Sequence, residues 1–274
     1  MAAKKLRIAC IQNSAGLNLS ENISRLQPLI QKALQKKPDI IAFPENFLWR
    51  GPRRELVKTA AAGKAVVHTF QEIAAETKTA FLLGSVAEAP DANGRCYNTS
   101  LLIDRAGKIR ARYRKIHLFD AALNQDVTVK ESRSTRAGTQ IVTVDFEGVR
   151  LGFSICYDLR FPELFRCLAV RGCQVIFVPA NFTFMTGQAH WETLLRARAI
   201  ENQVFVVAPA QSGMGSNRIR SFGSSRIIDP WGTILAGAPA DGQAVIAADL
   251  SLAFQRDLRR RLPVLKHRRL SKIS

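Results

Sequence analysis

Long apolar runs are missing from these 274 residues, which sets aside a membrane protein built on helices of about 20 consecutive apolar residues. The opening residues, Met1-Ala-Ala-Lys-Lys-Leu-Arg-Ile-Ala-Cys10, carry basic side chains but no long apolar core, so no secretory leader is expected. No glycine-rich phosphate loop occurs, and the Gly63-Lys64 pair lacks the spacing of one. That excludes a simple Rossmann unit. Histidine is scarce: the four, at positions 68, 117, 190 and 267, have no metal-ligand spacing, and no metal site is expected. The five cysteines, Cys10, Cys96, Cys156, Cys167 and Cys173, are odd in number and irregularly placed, which argues against a disulfide framework or zinc ribbon. A reducing compartment, the cytoplasm, is expected.

Acidic residues are also few, 22 against 40 Lys and Arg, for a net charge of +18. The excess gathers at the end: residues 256–274 hold eight basic side chains against Asp257. No RNA-binding signature or aromatic platform accompanies them, so a solvated basic surface that steers small anions is expected rather than nucleic-acid binding. No linker, repeat or low-complexity block divides the chain. It reads as one domain, 1–255, with a basic tail, 256–274, packed on the domain or on a dimer partner.

Hydrophobic content of 47% is globular. Strands are expected at Leu6–Ile11, Asp39–Phe43, Ala80–Val86, Asn98–Asp104, Lys108–Lys115, Thr139–Phe146, Val149–Cys156, Gln174–Pro179, Val204–Ala210, Ser225–Ile228 and Gln243–Leu250. Helices fall between them. One starts at an Asn18 cap with Glu21 three residues on; others cover 63–78, Pro162–Arg171 and Gln188–Glu201. A long turn-rich connection spans Ala121–Gly138. Several strands pair as hairpins, so an α/β fold with mixed sheets covered by helices is expected.

Three residues stand at strand ends or just beyond. Glu45 follows a β-branched run that stops at Pro44, where open α/β sheets place ligands; a solvated loop acid is its bland alternative. Lys115 falls on the apolar side of its strand with Ile109, Ala111 and Tyr113, while Lys108, Arg110, Arg112 and Arg114 take the other side. A lysine facing inward is costly unless paired or functional. Cys156 ends a strand just before the Pro162-Glu163 helix start, where exposed N–H groups favour a thiolate and can bind an oxyanion; alone it reads as a buried core thiol.

Together these contexts resemble the nitrilase superfamily of carbon–nitrogen hydrolases. The carrying motifs are Phe43-Pro-Glu-Asn46, Tyr113-Arg-Lys-Ile-His-Leu-Phe-Asp120 and Cys156-Tyr-Asp-Leu-Arg-Phe-Pro-Glu163, joined by Thr186–Glu192, Arg196–Gln203 and Asp229-Pro-Trp-Gly232. The resemblance runs from Leu6 to the tail. It implies an α-β-β-α four-layer sandwich extended across a homodimer, and a cofactor-free site. In that site Cys156 is the nucleophile, Glu45 the general base and acid, Lys115 with the Tyr157 backbone N–H the oxyanion stabiliser, and Glu131 a supporting acid. Arg160, Asn181, Phe182, Thr186 and His190 are implied to bind substrate.

Tyr157-Asp158 after the cysteine looks like the amidase branch called Nit, where nitrile-cleaving members carry Trp-Glu. Leu258–Val264 and His267–Arg269 resemble the members that act on deaminated glutathione; their siblings are ω-amidases. Both act on anionic amides, which suits a basic protein with Arg160 as a carboxylate partner; an Arg160 ion pair with Asp158 or Glu163 is the structural alternative. The family usually has Gly-His-Ser before Asp-Pro-Trp-Gly, and here Ser224 replaces the histidine, so a changed outer wall of the site is expected. Other readings are an N-carbamoyl hydrolase or nitrilase of the same superfamily, and a non-catalytic basic protein that binds nucleic acid.

Overall fold

The structure is a computed structural model that describes residues 5–52, 55–88, 90–122, 128–215 and 219–270. Residues 123–127 of the expected turn-rich connection and the last four of the tail lie outside the described residues. In chain order the first half holds β1 (Lys5–Gln12), α1 (Leu19–Leu34), β2 (Ile40–Ala42), α2 (Leu56–Thr77), β3 (Ala80–Ala87), β4 (Cys96–Ile103) and β5 (Ile109–Arg114). Three short strands follow: β6 (Asp120–Ala122), β7 (Thr128–Lys130) and β8 (Thr135–Arg136). Then come β9 (Thr143–Phe146), β10 (Val149–Phe153), α3 (Pro162–Val170), β11 (Val175–Phe177), α4 (Phe184–Asn202) and β12 (Phe205–Ala208). The chain closes with β13 (Ser212–Met214), β14 (Arg220–Phe222), β15 (Arg226–Ile228), β16 (Ile234–Gly237), β17 (Ala244–Ser251) and α5 (Leu252–Arg261).

Two sheets result. The first runs β17-β1-β2-β3-β4-β5 with β8 beside β4; the second runs β16-β15-β12-β11-β10-β9. Strands β1, β2 and β3 are mutually parallel, as are β10, β11 and β12, so both sheets are buried on both faces at their centres. Strand alternation sorts the first sheet's side chains. Ala9, Ile11, Ile41, Phe81 and Leu83 pack against Leu26 and Ile30 of α1 and Phe70 and Ala74 of α2. Ile8, Cys10, Ile40, Ala42 and Leu82 turn the other way, into one core with Leu151, Phe153, Val175 and Phe177 of the second sheet. Behind that sheet lie Leu164 and Leu168 of α3 and Trp191 and Leu195 of α4. The layers are α-β-β-α, as expected.

The Asn18 cap forms, its side chain accepting from the Glu21 N–H at 3.2 Å. Helix α2 begins at Leu56 rather than Gly63, drawing in an alanine run with high helix propensity. Strand β9 starts only at Thr143. The hairpin β13–β14 and strand β16 were not anticipated. Helix α5 runs through the 255/256 position: Leu252, Gln255 and Leu258 are buried, and Arg259 donates to the Gln203 and Cys173 carbonyls. Its basic last turn suits the helix C-terminus.

Candidate active site

Glu45 leaves the end of β2 on a tightly held loop. The Asn46 N–H donates to Ser85 Oγ at 3.0 Å, and Gln211 Nε2 donates to the carbonyls of Glu45 and Asn46. Beneath it Gly84 touches the loop so closely that a Cβ would sit 1.9 Å from the Phe43 carbonyl oxygen. Lys115 lies one residue past β5 yet stays in register, its N–H donating to the Asn98 carbonyl at 2.9 Å. The inward phase read from the sequence holds: its side chain is 2% exposed.

Strand β10 ends at Phe153, not at Cys156. The Ser154 N–H and hydroxyl both turn to the Phe177 carbonyl, and the Cys156 N–H donates to Pro179 O at 2.9 Å. The chain then swings out, with Cys156 at φ 47° opening a 3₁₀ turn, Cys156–Arg160. A left-handed non-glycine residue costs about 1–3 kcal/mol and persists only where its surroundings force it. Asp158, fully buried, is part of those surroundings: it accepts from the Ile155 N–H, the Tyr113 hydroxyl at 2.6 Å and the His117 N–H. Because His117 and Tyr113 flank Lys115, Asp158 ties the lysine segment to the cysteine elbow. Among the described residues the Tyr157 N–H meets no protein acceptor, as befits the first turn of a helix.

The four acidic, basic and thiol groups converge. Lys115 Nζ donates to Glu45 Oε1 and to Glu131 Oε2, each at 2.9 Å. Asn98 Nδ2 lies 2.9 Å from Glu45 Oε1 and 3.4 Å from Glu131 Oε1. The Phe119 N–H donates to Glu131 Oε2 at 2.7 Å, and the Asn181 N–H to Glu45 Oε2 at 2.9 Å. Burial by itself would lower the Lys115 pKa, but the charges of Glu131 and Glu45 outweigh it and hold the group above the ordinary lysine value. Cys156 goes the other way from a thiolate. Burial first, then the Glu45 charge, push its pKa well above the ordinary thiol value, and Lys115 only partly opposes them. Burial and Glu45 thus favour the thiol, against the thiolate that exposed N–H groups favour.

A small cleft opens over the thiol, lined by Phe119, Cys156, Tyr157, Arg160, Asn181, Phe182, Thr183 and Thr186. Arg160 stands at its edge, its guanidinium 5.3 Å from the Phe182 ring centre and 5.9 Å from that of Tyr157. The structural alternative for Arg160 does not form: Asp158 spends its oxygens elsewhere, and among the described residues no carboxylate lies within 4 Å of Arg160. His190 is exposed and approaches Arg160 at 3.4 Å without lining the cleft. Ser224 is buried and does not line it either; its carbonyl accepts from Trp191 Nε1 at 2.8 Å, and Trp191 backs Phe182. Among the described residues no group of three or more His, Cys, Asp or Glu is placed to hold a metal ion.

Sequence reasoning missed Asn98, the Asp158–His117–Tyr113 cluster, and Arg50. The buried Arg50 donates to Ser221 Oγ at 2.6 Å, and Ser221 in turn holds the Asn181 side chain.

Residues 7–260 match the family described as carbon-nitrogen hydrolase. A deaminated glutathione amidase from Synechocystis is 39% identical over 265 residues, covering 95% of this chain and 97% of that protein. The human omega-amidase NIT2 is 33% identical over 96% of this chain and 95% of its own. The crystal structure of the C. elegans NitFhit protein superposes with a TM-score of 0.90 at 38% identity, covering 98% of this chain and 66% of that one. The chain belongs to the carbon–nitrogen hydrolase family, and its fold is that of the nitrilase superfamily. No helix among the described residues is long and apolar enough to cross a membrane.

Proposed function

We propose that this chain is an amidase that hydrolyses the terminal amide of a small carboxylate-bearing substrate to the acid and ammonia through a thioester on Cys156. The observation that carries the reading is the Glu45–Lys115–Glu131 triad beside a buried thiol at the floor of a cleft. As the Cys156 sulfur attacks the amide carbon, its proton passes to Glu45. Lys115 has three N–H donors and spends two on carboxylates. The third, with the Tyr157 N–H, meets the developing oxyanion, each such donor contributing about 3 kcal/mol. Collapse returns the proton from Glu45 to the departing ammonia. Glu45 then takes a proton from water, which attacks the thioester; the thiol recovers its proton as the acid leaves.

Arg160 favours a substrate carboxylate, because it stands at the cleft edge beside two rings with no carboxylate within 4 Å among the described residues, and the in-plane N–H edge of a guanidinium binds an anion. The relatives named for deaminated glutathione and ω-amides point to the same class. A panel of ω-amides, nitriles and N-carbamoyl amino acids tests the reading. Ammonia release from ω-amides alone, lost in Cys156→Ala and raised in KM about tenfold or more in Arg160→Leu, is expected; turnover by Cys156→Ala would overturn it. A homodimer that continues the layers, with Ile200, Trp231 and Leu235 among the exposed large apolar side chains, and residence in the cytoplasm complete the proposal.

A further inference from the structure

Glu45 has two oxygens, and they are not equivalent. Oε1 accepts from both Lys115 Nζ and Asn98 Nδ2, each at 2.9 Å, whereas Oε2 accepts from the Asn181 N–H; the Cys156 thiol also hydrogen-bonds the Glu45 carboxylate. A carboxylate oxygen with two charge-directed donors has its lone pairs occupied, so the proton goes to the other. We infer that Asn98 is a positioning residue of the reaction: its amide saturates Oε1 of Glu45, keeps Glu45 and Glu131 apart, and leaves Oε2 as the one oxygen that exchanges a proton with Cys156. The inference rests on the amidase reading for its chemistry and on geometry for everything else.

Three features make Asn98 a dedicated donor rather than a bystander. Its NH₂ spans the gap between the two carboxylates, 2.9 Å from one and 3.4 Å from the other. Its Oδ1 is buried with no hydrogen-bond partner. Turning the amide over would bring that oxygen against two carboxylates, so the carbonyl stays unpaired in order that the NH₂ face them. Finally, the Asn98 backbone carbonyl holds the Lys115 N–H at 2.9 Å, which places donor and lysine on one rigid strand pair. The groups facing Glu45 are thus Lys115 and Asn98 from the β4–β5 pair, Glu131 beyond β7, and Cys156 with the Asn181 N–H from the second sheet.

Asn98 also explains how Lys115 can turn toward an oxyanion. When the ammonium leans toward substrate, a neutral donor remains on Oε1, and the carboxylate does not rotate after it.

The test compares wild type with Asn98→Leu, close in volume and without a donor, and Asn98→Ala. Two readouts are followed against pH: kcat and KM for an ω-amide, and alkylation of Cys156 by iodoacetamide, mapped by mass spectrometry. Circular dichroism establishes that each variant is folded. Loss of a donor to the charged form moves the acid limb of both profiles upward by about one pH unit and lowers kcat with little change in KM. In a Glu45→Gln background Asn98→Leu adds no further loss, because its effect passes through Glu45. The alkylation profile needs no substrate, so it decides the role of Asn98 even if the amide panel fails. Folded variants with an unmoved acid limb and unchanged kcat overturn the inference, as does a full additional loss in the Glu45→Gln background.

Discussion

Replacing Lys115 by methionine removes the one cation held between two buried carboxylates. In the wild-type protein the ammonium is 2.9 Å from both Glu45 and Glu131, with side chains 5% exposed or less. Breaking a buried pair by deleting one partner costs about 3–5 kcal/mol. For a chain of this size that is a fall in Tm of roughly 6–20 °C. The pH dependence identifies the cause. The Lys115 pKa is raised in the folded state above its ordinary 10.5. Its contribution is therefore fully present below that value and is lost only as pH rises through the higher folded value. In Lys115→Met the repulsion is relieved when one carboxylate takes a proton, so that group's folded pKa rises. The variant is then least destabilised in acid, and the gap to wild type widens from pH 5 to pH 8. Thermal melts by circular dichroism at both pH values measure it, and adding Glu131→Gln to Lys115→Met recovers part of the loss. A variant melting within about 2 °C of wild type, or a gap equal at both pH values, refutes the charge-balance argument.

Gly84→Ala forces a Cβ to 1.9 Å from the Phe43 carbonyl oxygen. The Glu45 loop must shift, and turnover is expected to fall more than a hundredfold, about 3 kcal/mol, for a displacement near 1 Å. At Cys156, with φ at 47°, Cys156→Gly is expected to be more stable to urea than Cys156→Ala by about 1 kcal/mol, since only glycine adopts that backbone freely. Equal midpoints would show that the elbow is not strained.

The sequence disclosed most of what is local. The β-branched run before Glu45, the two-residue phase around Lys115 and the apolar strand before Cys156 each carry their own signal, and the motifs joined them. Asn98 carries none. It is a polar residue within an ordinary strand, and its importance arises from sheet register, which sets β4 beside β5. The same holds for β13–β14: Ser212-Gly-Met214 shows little apolar alternation, and the hairpin is held by Arg50, whose guanidinium reaches the Gly213 and Met214 carbonyls from far along the chain. The turn at Cys156 was disguised by Ser154-Ile155, which prolong a strand-like pattern although the ladder has ended. The balance between thiol and thiolate at Cys156 is a further case: it depends on burial and on Glu45, and both emerge only when two distant segments meet.

The proposed base and cation hang from the first sheet, whereas the proposed nucleophile and Asn181 hang from the second. A chain that has formed only its first sheet contains a charged pair and no electrophile trap; one that has formed only its second contains a cysteine with no base. Under the proposed chemistry, catalytic competence requires the two sheets to be docked. During refolding the return of activity is a direct clock for that docking, whichever sheet has organised first.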